Sequence, residues 1–155
     1  MNNHEQINLE QAVFVDQSAL TSFMDPQASY YSKARSIFID LDDLDRNLVT
    51  TNYVMFDTHQ WLRNSYGFEH AQFFLDTMET AAAQSKLTVI SGRPEFENES
   101  KRLIMDCPDL QLSLSEAVTA VVMITYQIKR IFTFNPSYAF LPKLDSRIKV
   151  LPSLW

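Results

Sequence analysis

Short apolar runs, too brief to be helices, recur along this chain between longer segments of helical periodicity. That alternation is the strongest constraint on its fold. The runs are Val13–Val15, Leu48-Val49, Leu87–Ile90 and Ile131–Phe134, with Ile148–Leu151 as a candidate edge strand. Strands separated by helices are joined by crossovers rather than hairpins, which implies a mostly parallel sheet covered by helices on both faces. The expected fold class is therefore α/β, a single domain with a mostly parallel central sheet flanked by helices. On such sheets ligands gather outside the carboxyl ends of the strands.

The helical segments follow from apolar spacing and from punctuating residues. Ser18 to Met24 reads as a short helix ended by Asp25-Pro26. From Ser29 to about Asp45 the apolar set is Ala34, Ile37, Phe38, Leu41 and Leu44, with Asp40, Asp42, Asp43 and Asp45 on the outer face. Asn52 is placed to cap a helix from about Tyr53 to Ser65 that ends near Gly67. The next, Phe68 to about Gln84, has an inner stripe of Ala71, Phe74, Leu75, Met78 and Ala82. Pro94 opens a helix reaching about Met105, and Leu114 to about Gln127 is apolar around most of its circumference, with Ala117, Val118, Val121, Val122 and Ile124. Asn135-Pro136 starts a short helical turn. The expected boundaries are a polar leader over residues 1–11, the domain over 12–151 and a tail over 152–155.

Composition removes several classes of function. At 155 residues the chain is long enough to bury a core without staples. Its single cysteine, Cys107, excludes an intramolecular disulfide and a cysteine-based metal cluster. The first residues lack the basic and apolar regions of a secretory signal, and no stretch approaches the roughly 20 apolar residues of a membrane span. A cytoplasmic setting is expected. Net charge is −6, and the first 60 residues carry 9 acidic against 3 basic side chains. That balance argues against a general nucleic-acid coat, though not against a nuclease whose metal site needs clustered carboxylates.

Four oxygen-bearing side chains fall just after strand-like runs or near helix starts: Asp16, Asp57, Glu116 and Asn135. Brought to one edge of a parallel sheet, three carboxylates and an amide form a donor set for a hard cation, Mg²⁺ or Mn²⁺. Ser18 lies close enough to Asp16 to hold a ligand. Each residue also has a plainer reading. Asp16 can cap the helix that follows it. Ser113 and Glu116 fit a capping box, and Asn135 caps a turn with proline at its first position. Asp57 can be a solvated helix residue. The three histidines build no competing site, and with Gly67 and Gly92 as the only glycines there is no phosphate-binding loop.

Four segments carry a family resemblance: VFVDQSAL at 13–20, LVTTNYVMFDTHQWL at 48–62, LQLSLSEAVTAVVM at 110–123 and IKRIFTFNPSYAF at 128–140. In type and order they resemble the PIN domain family, over roughly residues 12–151, and in particular its VapC-like toxin branch. The resemblance implies a metal-dependent ribonuclease with Mg²⁺ or Mn²⁺ held by acids at the carboxyl edge of the sheet. It also implies a homodimer and, in the toxin branch, an antitoxin partner. Carried over by position, Asp16 is the first acid, with Ser18 as its small polar companion. Asp57 stands where the family usually has Glu, Glu116 where it usually has Asp, and Asn135 where it usually has Asp. Arg63, Arg93, Lys101, Arg102, Lys129 and Arg130 are candidates to guide an RNA backbone. The altered acid set also admits a second reading, a PIN-fold module that binds RNA or protein without cutting.

Overall fold

A computed structural model describes residues 9–152. Residues 1–8 of the expected leader and 153–155 of the expected tail lie outside the described residues.

Five strands form one sheet: β1 Val13–Val15, β2 Leu48–Thr51, β3 Leu87–Ile90, β4 Arg130–Phe132 and β5 Lys149–Leu151. Their order is β3-β2-β1-β4-β5, and every pairing is parallel. The register sets Phe14 beside Val49 on one side and Ile131 on the other. All three residues of β1 are buried, as an all-apolar run in a central parallel strand requires. β5 is the expected edge strand.

Seven helices cover the sheet: α1 Gln17–Met24, α2 Tyr31–Asp43, α3 Asn52–Tyr66, α4 Phe68–Ala83, α5 Pro94–Asp106, α6 Leu114–Thr125 and α7 Leu141–Leu144. A 3₁₀ turn over Pro136–Phe140 follows β4. The chain steps from β1 outward through β2 to β3, then crosses back to lay β4 on the other side of β1. The strand order therefore reverses between β1 and β4. The crevice outside their carboxyl ends is the point at which an open α/β sheet presents a binding site.

Several local expectations are corrected. Helix α3 is capped by Thr51, whose Oγ1 accepts from Val54 N at 3.2 Å, and Asn52 is its first residue. The Asn52 side chain instead accepts from Gly92 N at 2.7 Å, tying α3 to the loop after β3. Helix α2 stops at Asp43, so Leu44 is its cap and is left exposed. On α4 the inner face uses Ala81 rather than Ala82, and on α6 Ile124 faces solvent. Strand β4 ends at Phe132 rather than Phe134: Thr133 N still donates to Leu151 O of β5, and at Phe134 the backbone turns to donate to Ser18 Oγ at the start of α1.

Gly67 joins α3 to α4 without a loop. Its backbone, at φ 97° and ψ −179°, lies in a region that is essentially glycine-only, and it serves as the end of one helix and the start of the next. A Cβ there would meet no neighbouring atom, so the constraint is conformational rather than steric. Gly67→Ala is expected to lower the unfolding free energy by about 1–3 kcal/mol, measured by urea denaturation.

Candidate functional site

Asp16 immediately follows β1 and is the N-cap of α1, the plainer of the two roles expected of it. Its Oδ1 accepts from Ala19 N at 3.1 Å and from Ser18 Oγ at 2.8 Å. Its Oδ2 accepts from Thr133 Oγ1 at 2.6 Å, across from β1 to the end of β4. Ser18 Oγ in turn accepts from Phe134 N at 2.8 Å, and Thr133 Oγ1 accepts from Asn135 N at 2.9 Å. Both hydroxyl protons are thus directed at Asp16, and both hydroxyl oxygens hold the backbone after β4. Among the described residues no buried side-chain polar atom lacks a partner.

Asp16 is only 4 % exposed. Burial pushes its carboxyl up from the ordinary value of 3.8 to about 6, against the opposing hydrogen bonds from Thr133, Ser18 and Ala19. Tyr138, buried on the turn after Asn135, donates to Thr119 Oγ1 at 3.2 Å. Burial raises its hydroxyl above the usual tyrosine range, and the nearby charges of Asp16 and Glu116 add to the rise.

Glu116 and Asn135 also keep the plainer roles that the sequence allowed. Ser113 Oγ accepts from Glu116 N at 3.1 Å while Glu116 Oε1 accepts from Ser113 N at 2.9 Å, a complete capping box at the start of α6. Asn135 Oδ1 accepts from Ser137 N at 3.0 Å. That bond turns the amide nitrogen toward the cleft, where Nδ2 donates to Glu116 Oε2 at 3.4 Å. Asn135 therefore offers Glu116 a donor while its own oxygen is occupied by the turn.

All four residues line one cleft of about 380 Å³ at the reversal point of the sheet. Ser18 lines it too, as do Thr51, Tyr53 and Tyr138. Asp57, an exposed residue of α3, faces this cleft rather than being merely solvated. Asp57 is five residues beyond the start of α3, about 7–8 Å along the axis at 1.5 Å per residue.

The basic residues do not join them. No Lys or Arg lines the cleft. Lys129 forms a 2.8 Å ion pair with Asp145, whose carboxyl is held well below the usual range first by Arg147 and then by Lys129. Arg130 opens β4, so it sits about 10 Å up the strand from Thr133 at roughly 3.3 Å per residue, at the opposite edge of the sheet. Arg63 is exposed near the far end of α3, Arg93 lies over the Phe96 ring, and Arg102 pairs with Glu99.

Thr133 and Tyr138 were not singled out from sequence. Thr133 had a readable signal, a lone hydroxyl inside the apolar run Ile131–Phe134 and two residues before Asn135.

The residues present can be tested against a divalent cation. Among the described residues no three His, Cys, Asp or Glu side chains come together as a metal-holding group. Asp16 Oδ2 and Glu116 Oε2 each accept one bond and keep a further acceptor direction, and Asp57 lines the same cleft. Mg²⁺ keeps several waters and is commonly held by one or two carboxylates. The carboxylates of Asp16, Asp57 and Glu116, lining one cleft, are the donor type that such a hydrated ion takes.

No protein-family model and no curated protein sequence matches the chain. Among solved structures it is similar to VapC20 of Mycobacterium tuberculosis, described as a toxin that cleaves the sarcin–ricin loop. The TM-score is 0.69 at 17 % identity, covering 82 % of this chain and 92 % of that one. The likeness is one of fold, and the α/β fold is PIN-like, as the resemblance implied.

The raised carboxyl of Asp16 has a consequence for stability. Its folded value of about 6 lies above the unfolded 3.8, so its contribution is complete below pH 3.8 and is lost as pH rises through 6. In EDTA, raising the pH from about 4 to about 7 should destabilise the wild type relative to Asp16→Asn by on the order of 2–3 kcal/mol. Denaturation curves of both proteins across that range check the sign.

Proposed function

We propose that this protein is a divalent-metal-dependent ribonuclease of the PIN type, hydrolysing RNA phosphodiesters. The observation that supports it most strongly is convergence. Asp16, Asp57, Glu116 and Asn135 come from four separate segments and line one cleft at the reversal point of the sheet. The PIN-like fold adds support, since VapC20 with the same fold is an RNA-loop-cleaving toxin.

Asp16 and Glu116 would hold a hydrated Mg²⁺ or Mn²⁺, with Asp57 facing them. An ion bound there supplies Lewis-acid charge to the scissile phosphate and lowers the pKa of water at neutral pH. The chain itself does the positioning. Ser18 and Thr133 fix both oxygens of Asp16, and Asn135 Nδ2 steadies Glu116. Tyr138 closes the buried side of the cleft. Charged Asp16 is the cation-binding form, so the cation would offset the burial that favours its protonation. A homodimer, an antitoxin partner and a cytoplasmic location belong to the same reading. No helix among the described residues is long and apolar enough to cross a membrane.

One observation favours a second reading, a PIN-fold module that binds without cutting. Glu116 Oε1 and Asn135 Oδ1 are occupied by capping bonds, a structural role for both residues that needs no cation.

The deciding assay incubates structured and single-stranded RNAs with Mn²⁺, with Mg²⁺ and with EDTA, beside Asp16→Ala. Cleavage is expected with either metal, absent in EDTA and lowered at least about a hundredfold in the variant, with circular dichroism showing both proteins folded. Equal cleavage by Asp16→Ala would remove the assignment. Metal-independent RNA retention without cleavage would favour the binding module.

A further inference from the structure

A second recess of about 230 Å³ opens beside the acidic cleft and shares Tyr53, Asp57, Ser115 and Val118 with it. Its remaining walls are Phe56, Leu114 and Glu97. Phe56 is 67 % exposed and Leu114 47 % exposed. Single apolar side chains on a surface need no explanation. Here two large ones, from α3 and α6, flank one recess whose inner side opens onto a carboxylate-lined cleft.

The back wall is built to stay in place. Tyr53 donates its hydroxyl to Glu97 Oε1 at 3.0 Å. Its ring lies so close over Gly92 that a Cβ there would fall 2.2 Å from the hydroxyl oxygen. The Asn52 amide holds the Gly92 backbone at 2.7 Å, so the loop that accommodates the ring is anchored to the same helix. Tyr53 thus stands as a fixed partition between Glu97 and the cleft.

Charge narrows the occupant. No Lys or Arg lines the cleft or the recess, so neither offers a phosphate group an ion pair. Asp57 and Glu97 would repel an anion and accept N–H donors. An uncharged planar group with donors on its edge fits those walls. The volume lies below the roughly 300 Å³ at which drug-sized pockets begin, which limits it to one ring system.

We infer that the recess is a base-binding subsite, in which an unpaired RNA base stacks on Phe56 against Leu114 with its donor edge toward Glu97. The inference rests on the ribonuclease reading for the identity of the polymer, and it adds to that reading the residues that would hold a base out of its stack. The nucleotide so held flanks the phosphate presented to Asp16 and Glu116, since Asp57 belongs to both compartments. Stacking tolerates any base, and the acceptor-only Glu97 carboxylate favours those with amino or imino donors.

The test uses the full chain in EDTA and a short single-stranded RNA containing 2-aminopurine, whose fluorescence reports stacking. Wild type should give a saturable fluorescence change. Phe56→Ala should bind about tenfold more weakly, and Phe56→Trp should keep the binding. The same strand annealed to its complement should not distinguish wild type from Phe56→Ala. Phe56 is largely exposed, so its removal leaves the core intact, and circular dichroism checks this. Equal single-strand binding by wild type and Phe56→Ala overturns the subsite, as does the absence of saturable binding by wild type. The two readings separate cleanly. Metal-dependent cleavage with Phe56-independent binding removes the subsite and leaves the nuclease. Phe56-dependent binding without any cleavage keeps the subsite and removes the nuclease.

Discussion

The buried carboxylate of Asp16 joins the two halves of the sheet at its carboxyl edge. β1 and β4 pair for only two residues, Phe14 with Ile131 and Val15 with Phe132. Beyond them one backbone bond, Asp16 N to Phe132 O at 3.3 Å, is joined by side chains: Thr133 to Asp16, and Ser18 to the backbone of Phe134. Tyr30, just before α2, stacks on the Phe134 ring at 4.5 Å and covers the junction. Three further residues of the cleft are placed relative to this point. Asn135 follows Thr133 directly, the turn beginning there carries Tyr138, and Asn135 reaches Glu116 on α6. A charge in so buried a place is unfavourable unless something positive comes near it, so the site is organised and yet electrostatically incomplete.

Much of the fold was legible because parallel α/β architecture writes itself in local pattern. Val13–Val15 and Leu87–Ile90 were readable as strands from apolar runs, and Gly67 and Pro94 marked helix boundaries. The errors were those of competition between neighbours. Thr51 and Asn52 can both cap a helix. Thr51 does so because it ends a strand in extended conformation, while Asn52 is claimed by the Gly92 backbone, distant in sequence. Leu44 fits the apolar spacing of α2 but falls past its last turn, where nothing packs over it.

The site was legible as residues but not as hydrogen bonds. Position alone brought Asp16, Asp57, Glu116 and Asn135 to one edge, because strand ends and helix starts share that edge in a parallel sheet. Position did not indicate that Thr133, in an apolar run, would complete Asp16. The candidate basic residues lie away from the cleft for a related reason. Lys129 and Arg130 are close to Asn135 in sequence, but β4 intervenes and carries them to the other end of the sheet. For Glu116 and Asn135 the choice between ligand and cap is not exclusive. A carboxylate has acceptor directions enough for both roles, and the amide oxygen of Asn135 keeps a second lone pair beside the bond from Ser137.

The divalent cation proposed for this cleft depends above all on Asp16. Titration calorimetry of Mn²⁺ into the metal-free protein, beside a folded Asp16→Ala variant, tests it without reference to any substrate. Saturable binding at millimolar or lower Mn²⁺ that disappears in the variant is the expected result. Folded wild-type protein that takes up no Mn²⁺ in that range, or a variant that binds it equally well, would contradict it.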